Sequence, residues 1–498
     1  MSLKPELSKS LDECIEQVQA LKSPQDVADL LEVPIGQLLY ILYKENPDKH
    51  VKTFLIPKKT SGQRAIKAPL GSKRILLNKL KPILCSLYRT KACVHGFVPH
   101  KSIVSNAHAH RKKRYVLNID LTDFFTTIHF GRVRGLFMGY PFSMSENAAS
   151  VVAQICTHDG LLFQGSPVSP VLSNFIAADL DKKLTALAKR YKATYTRYAD
   201  DITFSTSQKS FPRSLATWDG DNPITNKVSL GNLLVETIQS AGFEINYDKV
   251  RLQIRSVRQD VTGLTVNEFP NVKRSYIRNI RAMLHSWSKH GLKNAEQELI
   301  LKYASNPPDI DPKDMDGTYF KNVVYGKIAF VKMVRGGEDD LYMNLCLQAA
   351  KLDTDPPKFI QRTKLMHEKF DVFISHASED KEDVVRPIYE ALTKAGVVAF
   401  LDEVNMGWGD SLTEKINHAL GQSKFVLAVL SEDSVGKKWP MKELNAALAR
   451  ELAEKQKILP LIVGKPDLSP LSLLEDKIYL QWENNADDVT TKIKEMLS

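Results

Sequence analysis

TRYADDITF, residues 196–204, places two adjacent aspartates between two short runs in which β-branched or aromatic residues alternate with others. Such alternation predicts two strands, with Asp200 and Asp201 at the tip of the hairpin that joins them. Aspartate is common in turns because its side chain hydrogen-bonds the local backbone. The alternative is a functional role, since two like charges side by side become tolerable when a cation binds them.

A second acidic element lies upstream in RYVLNIDLTDFF, residues 114–125. Asp120 follows a strand-like run, and two phenylalanines come shortly after it. If Asp120 at the end of one strand faces Asp200 at the hairpin tip, their carboxylates can hold two hard cations roughly 4 Å apart, as two-metal phosphoryl transfer requires. The two elements together predict a metal-dependent site for phosphoryl transfer.

Six ordered blocks of the chain resemble those of a reverse transcriptase in order and spacing. They are IPKKTSGQRAIKAP (56–69), NIDLTDFF (118–125), QGSPVSPVLSN (164–174), YADD (198–201), GFEINYDKVRL (242–252) and VTGLTVN (261–267). The resemblance implies an RNA-directed DNA polymerase with a right-hand fold of fingers, palm and thumb. It also implies two Mg²⁺ ions per site, with Asp120, Asp200 and Asp201 as catalytic residues and metal ligands.

The first block and the phenylalanine pair would bind the incoming deoxynucleotide. Lys58 and Arg64 are expected to clamp its triphosphate, because guanidinium groups suit bidentate phosphate contacts. Phe125 matches the bulky side chain that excludes a 2′-hydroxyl and so selects dNTPs. Packing in the core is the alternative role for Phe125.

Two further blocks would contact template and nucleotide. In QGSPVSP the glycine, Gly165, and the prolines would let the backbone approach these substrates, with Gln164 as a polar contact. Lys249 is a candidate proton donor to the leaving pyrophosphate, and a solvated surface lysine is the alternative.

Two short motifs resemble signatures of the retron reverse transcriptases. Asn106 and His110 form an NAxxH arrangement, and Val261, Thr262 and Gly263 form a VTG triplet. Retron enzymes prime from a 2′-hydroxyl of a guanosine in a cognate structured non-coding RNA and make a branched RNA–DNA product, msDNA. The resemblance makes these five residues candidates for RNA binding. A capping or core histidine and a simple strand end are the alternatives.

The charge distribution agrees with a polyanionic partner. Of the 68 basic and 58 acidic residues, 52 and 35 lie before position 368, so this part carries an excess of 17 positive charges. Such an excess favours phosphate binding through counterion release. The helical stretch NVKRSYIRNIRAMLHSWSKHG (271–291) puts Arg274, Arg278 and Arg281 on one face, which we take as an RNA-binding surface. A solvated basic face is the alternative.

The last 130 residues show a different pattern. The apolar runs FDVFISH, VVAFLD, KFVLAVLS, KILPLIVG and IYLQW are separated by helical stretches. This alternation predicts a five-stranded parallel sheet with helices on both faces. The preceding segment 351–368 is charged, contains two prolines and has no sustained period, so we interpret it as a linker.

Three stretches of this region resemble a Toll/interleukin-1 receptor (TIR) domain: KFDVFISHASEDK (369–381), FLDEVNMGWGDSLTEKI (400–416) and WPMKELNAAL (439–448). The resemblance implies a flavodoxin-like α/β fold with its ligand beyond the carboxyl ends of the strands, next to Ser375 and His376. Glu443 follows Trp439 at the spacing of TIR domains that cleave NAD⁺, where a carboxylate can stabilise oxocarbenium character. A glutamate that only complements the helix dipole, in an adaptor domain, is the alternative.

These observations divide the chain into three parts. Residues 1–350 are expected to be the polymerase, with N-terminal helices and fingers over about 1–115, palm over about 116–268 and thumb over about 269–350. The linker is 351–368, and the TIR domain is 369–498. Apolar runs too short to span a bilayer and the lack of a secretory signal favour a cytoplasmic location without a membrane partner.

The functional hypothesis is an msDNA-making reverse transcriptase fused to an NAD⁺-cleaving TIR effector, acting in antiphage abortive infection like a toxin–antitoxin pair. The expected partners are the non-coding RNA, msDNA, dNTPs, NAD⁺ and a second copy of the chain. One alternative is a TIR domain that serves only as an interaction module. Another is an abortive-infection enzyme that makes untemplated DNA.

Overall fold

A computed structural model gives the fold of the chain. It describes residues 3–57, 62–218, 227–303, 315–367, 370–401, 419–435, 457–469 and 478–497. The chain divides into two compact units, Met1–Tyr342 and Met343–Ser498, each of which is described by itself. Across the described residues, no helix has the length and apolar character needed to cross a membrane.

The first unit contains most of the helices. Their bounds are α1 Leu11–Val18, α2 Pro24–Leu30, α3 Ile35–Tyr43, α4 Gly71–Leu87, α5 Ile103–Ala109, α6 Phe130–Met138, α7 Glu146–Cys156, α8 Ser169–Ile176, α9 Ala178–Arg190, α10 Asn232–Ser240, α11 Arg274–His290, α12 Leu292–Glu298 and α13 Thr318–Arg335; α14, Asp340–Leu352, crosses into the second unit. The helical region from Pro24 to Tyr43 is two helices, α2 and α3. It breaks before Pro34, which disfavours helical geometry in the residue preceding it.

The described strands of the first unit form one central sheet and three small hairpins. Their bounds are β1 Val51–Pro57, β2 Gln63–Pro69, β3 Tyr115–Thr122, β4 Thr194–Tyr198, β5 Asp201–Thr206, β6 Ala216–Trp218, β7 Val228–Leu230, β8 Glu244–Ile245, β9 Arg251–Ile254, β10 Asp260–Val261 and β11 Leu264–Thr265. The central order is β4-β5-β3-β8, and β9 also pairs with β3. All these pairings are antiparallel. The hairpins are β1–β2, β6–β7 and β10–β11.

The central sheet is held by one large apolar core that also includes the N-terminal helices. Leu117, Ile119 and Leu121 of β3 are buried in it, as are Ile202 and Phe204 of β5. Burial of these branched and aromatic side chains contributes roughly 1.5–3 kcal/mol each, so the register between β3 and β5 is strongly specified.

Helix α11 has the two faces that its sequence predicts. Ile280, Met283 and Trp287 are buried, and the Trp287 ring lies edge-on to Phe320 of α13 at 6.1 Å. The predicted arginines, Arg274, Arg278 and Arg281, are all exposed on the other face. The apolar half of the helix therefore packs while the basic half meets solvent.

The second unit contains the predicted five-stranded parallel sheet. Its elements are β12 Phe370–Ser375, β13 Ala399–Phe400, β14 Ser423–Leu430, β15 Lys457–Ile462, β16 Leu480–Gln481, α15 Lys358–His367, α16 Arg386–Lys394, α17 Glu432–Val435 and α18 Ala486–Leu497. The strand order is β13-β12-β14-β15-β16, with every pair parallel. Alternate residues of β12 enter two separate cores, Phe373 in one and Ile374 in the other. Helix α15 occupies much of the segment 351–368 that we interpret as a linker.

Candidate functional site

The adjacent aspartates lie at the turn between β4 and β5, as the sequence predicts. Tyr198 pairs with Asp201, so Ala199 and Asp200 form a two-residue loop. Ala199 has φ +55°, in the left-handed region that an L-residue rarely adopts. The backbone is thus held in an uncommon conformation next to the two carboxylates.

Asp120 meets this turn from the neighbouring strand. Asp120 of β3 pairs directly with Asp201 of β5, and the Leu121 N–H donates to the Asp200 carbonyl at 3.1 Å. Residues directly opposite in antiparallel strands project to the same face. The residue across from Asp120 is therefore Asp201, one position further along than the Asp200 that the sequence analysis expects to face it.

The three carboxylates influence one another electrostatically. Burial, followed by the negative charges of Asp200 and Asp120, raises the pKa of Asp201 to about 7. Lys249 and Arg251 oppose this rise. A carboxyl whose negative charge is disfavoured by its neighbours is a group that a bound cation would stabilise.

Lys249 is positioned directly against Asp120. Its Nζ atom lies 2.9 and 3.0 Å from the two carboxylate oxygens of Asp120. A short 3₁₀ turn, Tyr247–Lys249, follows β8 and presents the lysine, while the Asn246 N–H donates to the Asp120 carbonyl at 2.9 Å. The ammonium thus neutralises one member of the carboxylate group.

The aspartates have the donor chemistry that Mg²⁺ requires. Among the described residues, no set of three His, Cys, Asp or Glu side chains stands close enough together to hold a metal ion as placed. The fit rests instead on hard oxygen donors from Asp120 on β3, Asp201 on β5 and Asp200 in the turn before it, and on the unfavourable negative charge near Asp201.

An aromatic row joins the loop after β3 to the hairpin. Phe125 lies 5.4 Å from Phe124 and 6.1 Å from Phe97, whose ring is in turn 6.4 Å from Tyr198, measured between ring centroids. Phe125 is half-buried. The structure therefore brings this predicted nucleotide-binding residue to the aspartate turn.

The loop of Gly165 approaches strand β2 closely. Gly165 has φ +97°, and a Cβ atom there would lie 2.5 Å from the Lys67 carbonyl oxygen, so only glycine fits. Gln164 beside it is half-buried. Arg64 lies on β2 opposite Ile56. The side chain of Arg64 and all of Lys58 fall outside the described residues.

A buried ion pair beneath the hairpin was not anticipated from the sequence. Arg197 of β4 and Asp181 of α9 are both fully buried and joined at 2.8 Å. Burial disfavours the charged guanidinium, but hydrogen bonds and the negative charge of Asp181 outweigh it and raise the pKa of Arg197. One signal was available: Asp181 interrupts the apolar stripe of α9 that contains Leu184 and Ala188.

The carboxyl end of the parallel sheet carries the predicted NAD⁺-pocket residues that the structure describes. Ser375 ends β12 and is buried, and the half-buried His376 follows it. Close by, Ser431 after β14 donates to the buried Asp380 at 2.6 Å. Trp439 and Glu443 lie outside the described residues.

Comparison with known proteins identifies both parts of the chain. Residues 56–266 match the family model for reverse transcriptase (RNA-dependent DNA polymerase), and residues 372–497 match that for the TIR domain. The retron Ec73 reverse transcriptase of Escherichia coli is 31% identical over 55% of this chain and 88% of its own length. The chain belongs to the retron reverse transcriptases.

Two further relatives define the extent of the similarity. The retron Mx65 reverse transcriptase of Myxococcus xanthus is 36% identical over 53% of this chain, which spans 62% of that relative's length. The 2′ cyclic ADP-D-ribose synthase AbTIR of Acinetobacter baumannii (strain 1295743) is 39% identical over 26% of this chain and 49% of its own length. This retron reverse transcriptase is thus fused to a TIR domain related to enzymes of NAD⁺ metabolism.

The NAxxH motif of this retron enzyme is internal. Asn106 and His110 are both fully buried against the aspartate hairpin. The Thr196 hydroxyl of β4 donates to Asn106 Oδ1 at 2.5 Å, so the Thr196 oxygen accepts from His110 Nε2. On its other side, His110 Nδ1 accepts from the Ser205 hydroxyl of β5. Direct RNA contact, expected from the sequence, is incompatible with this burial. The motif instead braces the two strands that carry the turn.

The VTG triplet lies against the helix that carries the NAxxH motif. Val261 is buried at the end of β10, and Thr262 and Gly263 form the two-residue loop to β11 with φ +46° and +84°. The Thr262 hydroxyl donates to the carbonyl of Ile103, the first residue of α5, at 3.3 Å. The two retron signatures therefore form one structural unit, of which Gly263 is exposed.

We predict that His110 makes the stability of the chain depend on pH. Burial lowers the pKa of His110 to about 3 from 6.5, so below pH 6.5 the unfolded chain takes up a proton that the folded chain refuses. The resulting contribution of His110 to the free energy of unfolding is fully present above pH 6.5 and is lost as pH falls below it. In urea unfolding, the free energy of unfolding of the wild type should be lower at pH 5.0 than at pH 7.5. In H110Q this decrease should be smaller by about 2 kcal/mol.

His108 provides the matched control because it lies exposed on the same helix. The H108Q variant should keep the wild-type difference between the two pH values. An H110Q variant with the full wild-type difference would show that His110 is not held neutral by its surroundings.

Proposed function

We propose that residues 1–350 form a right-hand RNA-directed DNA polymerase, with a palm at about 116–268 that carries the active site. The observation that supports this most is the pairing of Asp120 with Asp201 next to Asp200, together with the raised pKa of Asp201. Two bound Mg²⁺ ions would activate the primer hydroxyl and neutralise the departing pyrophosphate. The protein's part is to hold the three carboxylates of β3, β5 and the β4–β5 turn at one end of the sheet.

The surrounding residues would bind the dNTP. Lys58 and Arg64 would bind the triphosphate in this proposal, and Phe125 would limit the space at the sugar. Gly165 lets the backbone come close enough for Gln164 to contact the substrates. Lys249, whose Nζ atom lies against Asp120, would protonate the departing pyrophosphate.

The retron part of the proposal concerns a cognate non-coding RNA and its msDNA product. The exposed arginines of α11 offer phosphate contacts, and the basic excess before position 368 supports them. Gly263 at the tip of the VTG turn can lie against RNA. Val261 and Thr262 would set the position of that turn rather than touch the RNA.

The TIR domain would cleave the bond between nicotinamide and ribose in NAD⁺. Glu443 would stabilise the positive charge that develops on the ribose, with Trp439, Ser375 and His376 forming the pocket. The similarity to the NAD(+) hydrolase TcpA supports NAD⁺ as the substrate. The similarity to AbTIR, a 2′ cyclic ADP-D-ribose synthase, makes a cyclic product the alternative to hydrolysis.

We further propose that the polymerase with its RNA–DNA product restrains the effector until phage infection, after which NAD⁺ is consumed in the cytoplasm and growth stops. Association of TIR domains from several copies of the chain would complete the NAD⁺ site. The pairing of a DNA-synthesising enzyme with an NAD⁺-consuming domain in one chain favours this switch over two independent activities.

The first prediction of the proposed function concerns the metal ligands. Replacing Asp200 by Asn removes one anionic ligand and should lower dTTP incorporation on poly(rA)·oligo(dT) by about 1000-fold or more. D179N is the control, because Asp179 is an exposed carboxylate of α9 that pairs only locally with Lys183 at 2.7 Å. Wild-type incorporation by D200N would remove this residue from the active site.

The second prediction concerns the product. Nucleic acid that copurifies with the full chain from cells expressing the cognate non-coding RNA should contain DNA joined to that RNA through a 2′,5′ bond. Debranching enzyme should release the DNA, and D200N should copurify with RNA alone. DNA of unrelated sequence without an RNA branch would instead identify the untemplated activity of the alternative hypothesis.

The third prediction concerns the effector. E443Q keeps the shape of the side chain but removes its charge, so NAD⁺ consumption by the full chain should fall by roughly 100-fold or more, while dTTP incorporation stays at the wild-type rate. E382Q is the control, since Glu382 is exposed and pairs with Arg386. Mass spectrometry of the products distinguishes ADP-ribose from its cyclic form. NAD⁺ cleavage retained in E443Q would refute the assignment.

A further inference from the structure

Arg197 lies directly beneath the turn that carries the proposed metal ligands. Its Nε and Nη2 atoms donate to the two carboxylate oxygens of Asp181, both at 2.8 Å. Tyr195 donates to the same carboxylate at 2.7 Å. A bidentate pair fixes the plane of the guanidinium as well as its position. The remaining donors of Arg197 are therefore aimed in fixed directions.

One of these donors holds the turn itself. Arg197 Nη1 donates to the Ala199 carbonyl at 3.1 Å. Ala199 is the residue with φ +55°, a conformation that an alanine adopts only when its surroundings impose it. The hydrogen bond thus holds the peptide that joins Ala199 to Asp200, whose orientation sets the positions of Asp200 and Asp201.

The same network reaches the turn from its amide side. Asn174 accepts from Arg197 Nη2 at 3.1 Å and donates to the Gly96 carbonyl at 3.0 Å. A Cβ atom on Gly96 would lie 2.6 Å from the Ala199 nitrogen, so the Gly96 backbone lies directly against the turn. Arg197 contacts the turn at the Ala199 carbonyl, and the Gly96 backbone lies against the Ala199 nitrogen. Asn174 hydrogen-bonds to both Arg197 and Gly96 and so connects these two contacts.

Arg197 also contacts the element that carries Asp120. Its Cζ atom lies 5.9 Å from the centroid of the buried Phe124 ring, in the loop that directly follows β3 and its Asp120. A guanidinium at this distance attracts the ring electrostatically. One side chain therefore touches both segments whose aspartates must meet.

Stability alone does not require this arrangement. A buried ion pair can often be replaced by apolar side chains without loss of stability, because desolvation of the charges offsets their attraction. Apolar side chains could not hold the Ala199 carbonyl. We propose that Arg197, oriented by Asp181 and Asn174, is a positioning residue for DNA synthesis that holds the aspartate turn in its active geometry. This inference rests on the proposed polymerase function.

The test is R197K in the full chain, assayed on poly(rA)·oligo(dT) with dTTP and Mg²⁺. Lysine keeps the charge but cannot bind Asp181 in a bidentate manner and reach Ala199 as well. We expect kcat to fall about 10- to 100-fold, because small displacements of reacting groups have effects of this size. The KM for dTTP should stay within about twofold, and the Mg²⁺ concentration for half-maximal rate should rise.

V152A is the control for lost stability. Val152 is fully buried in the same core, on α7, a helix that packs against α2, α4 and α6. This variant should melt earlier while retaining the wild-type kcat and Mg²⁺ dependence. N174A is the second test variant: it removes the link to Gly96 but keeps the Arg197–Asp181 pair, and it decides the question where R197K does not fold.

Hydrogen exchange provides a readout that does not need activity. In R197K and N174A the amides of the peptide 196–204 should exchange faster than in V152A of matched melting temperature. Wild-type kcat, Mg²⁺ dependence and exchange in a folded variant would overturn the inference. A wild-type chain that makes no DNA would refute the proposed polymerase, and the exchange comparison would still decide the role of Arg197.

Discussion

The pairing of Asp120 with Asp201 across β3 and β5 is the constraint on which the polymerase half of the chain depends. It is an unfavourable pairing in itself, because two carboxylates share one face and the charge of each disfavours the other. Apolar side chains buried along both strands maintain the register that imposes it. Packing of the core thus holds like charges together on one face of the sheet, with the Lys249 ammonium against one of them.

Buried polar groups hold the hairpin on both of its faces. On one side, Thr196 and Ser205 hydrogen-bond to the NAxxH motif; on the other, Arg197 is tied to Asp181 and Asn174. Adjacent residues of a strand point to opposite faces, so Thr196 makes the hydrogen bond on one face of the hairpin and Arg197 makes those on the other. Apolar packing restricts the position of a strand, whereas directed hydrogen bonds also restrict its turn, and a geometry with positive φ at Ala199 needs the second kind of restraint.

Local patterns in the sequence were sufficient for much of the fold. Alternation in residues 115–122 predicts β3, and the apolar runs after position 368 predict the five parallel strands, because side-chain periodicity follows directly from strand geometry. Motif spacing also brought the aspartates of β3 and the hairpin together. The Arg197–Asp181 pair could not be foreseen, since no periodicity joins a strand residue to a partner on a separate helix. The sequence left His110 open between RNA contact and a core or capping position, because a short polar motif predicts hydrogen bonding without saying whether its partner is protein or RNA; the structure shows the core position.

The central claim is that the aspartates of β3 and of the β4–β5 turn form one divalent-cation site. Crystals of the full chain soaked in MnCl₂, with anomalous diffraction recorded near the manganese edge, test this most directly. The account predicts a manganese peak within about 2.5 Å of carboxylate oxygens from both Asp120 and the Asp200–Asp201 turn. A chain that binds manganese elsewhere while Lys249 alone remains against Asp120 would contradict it.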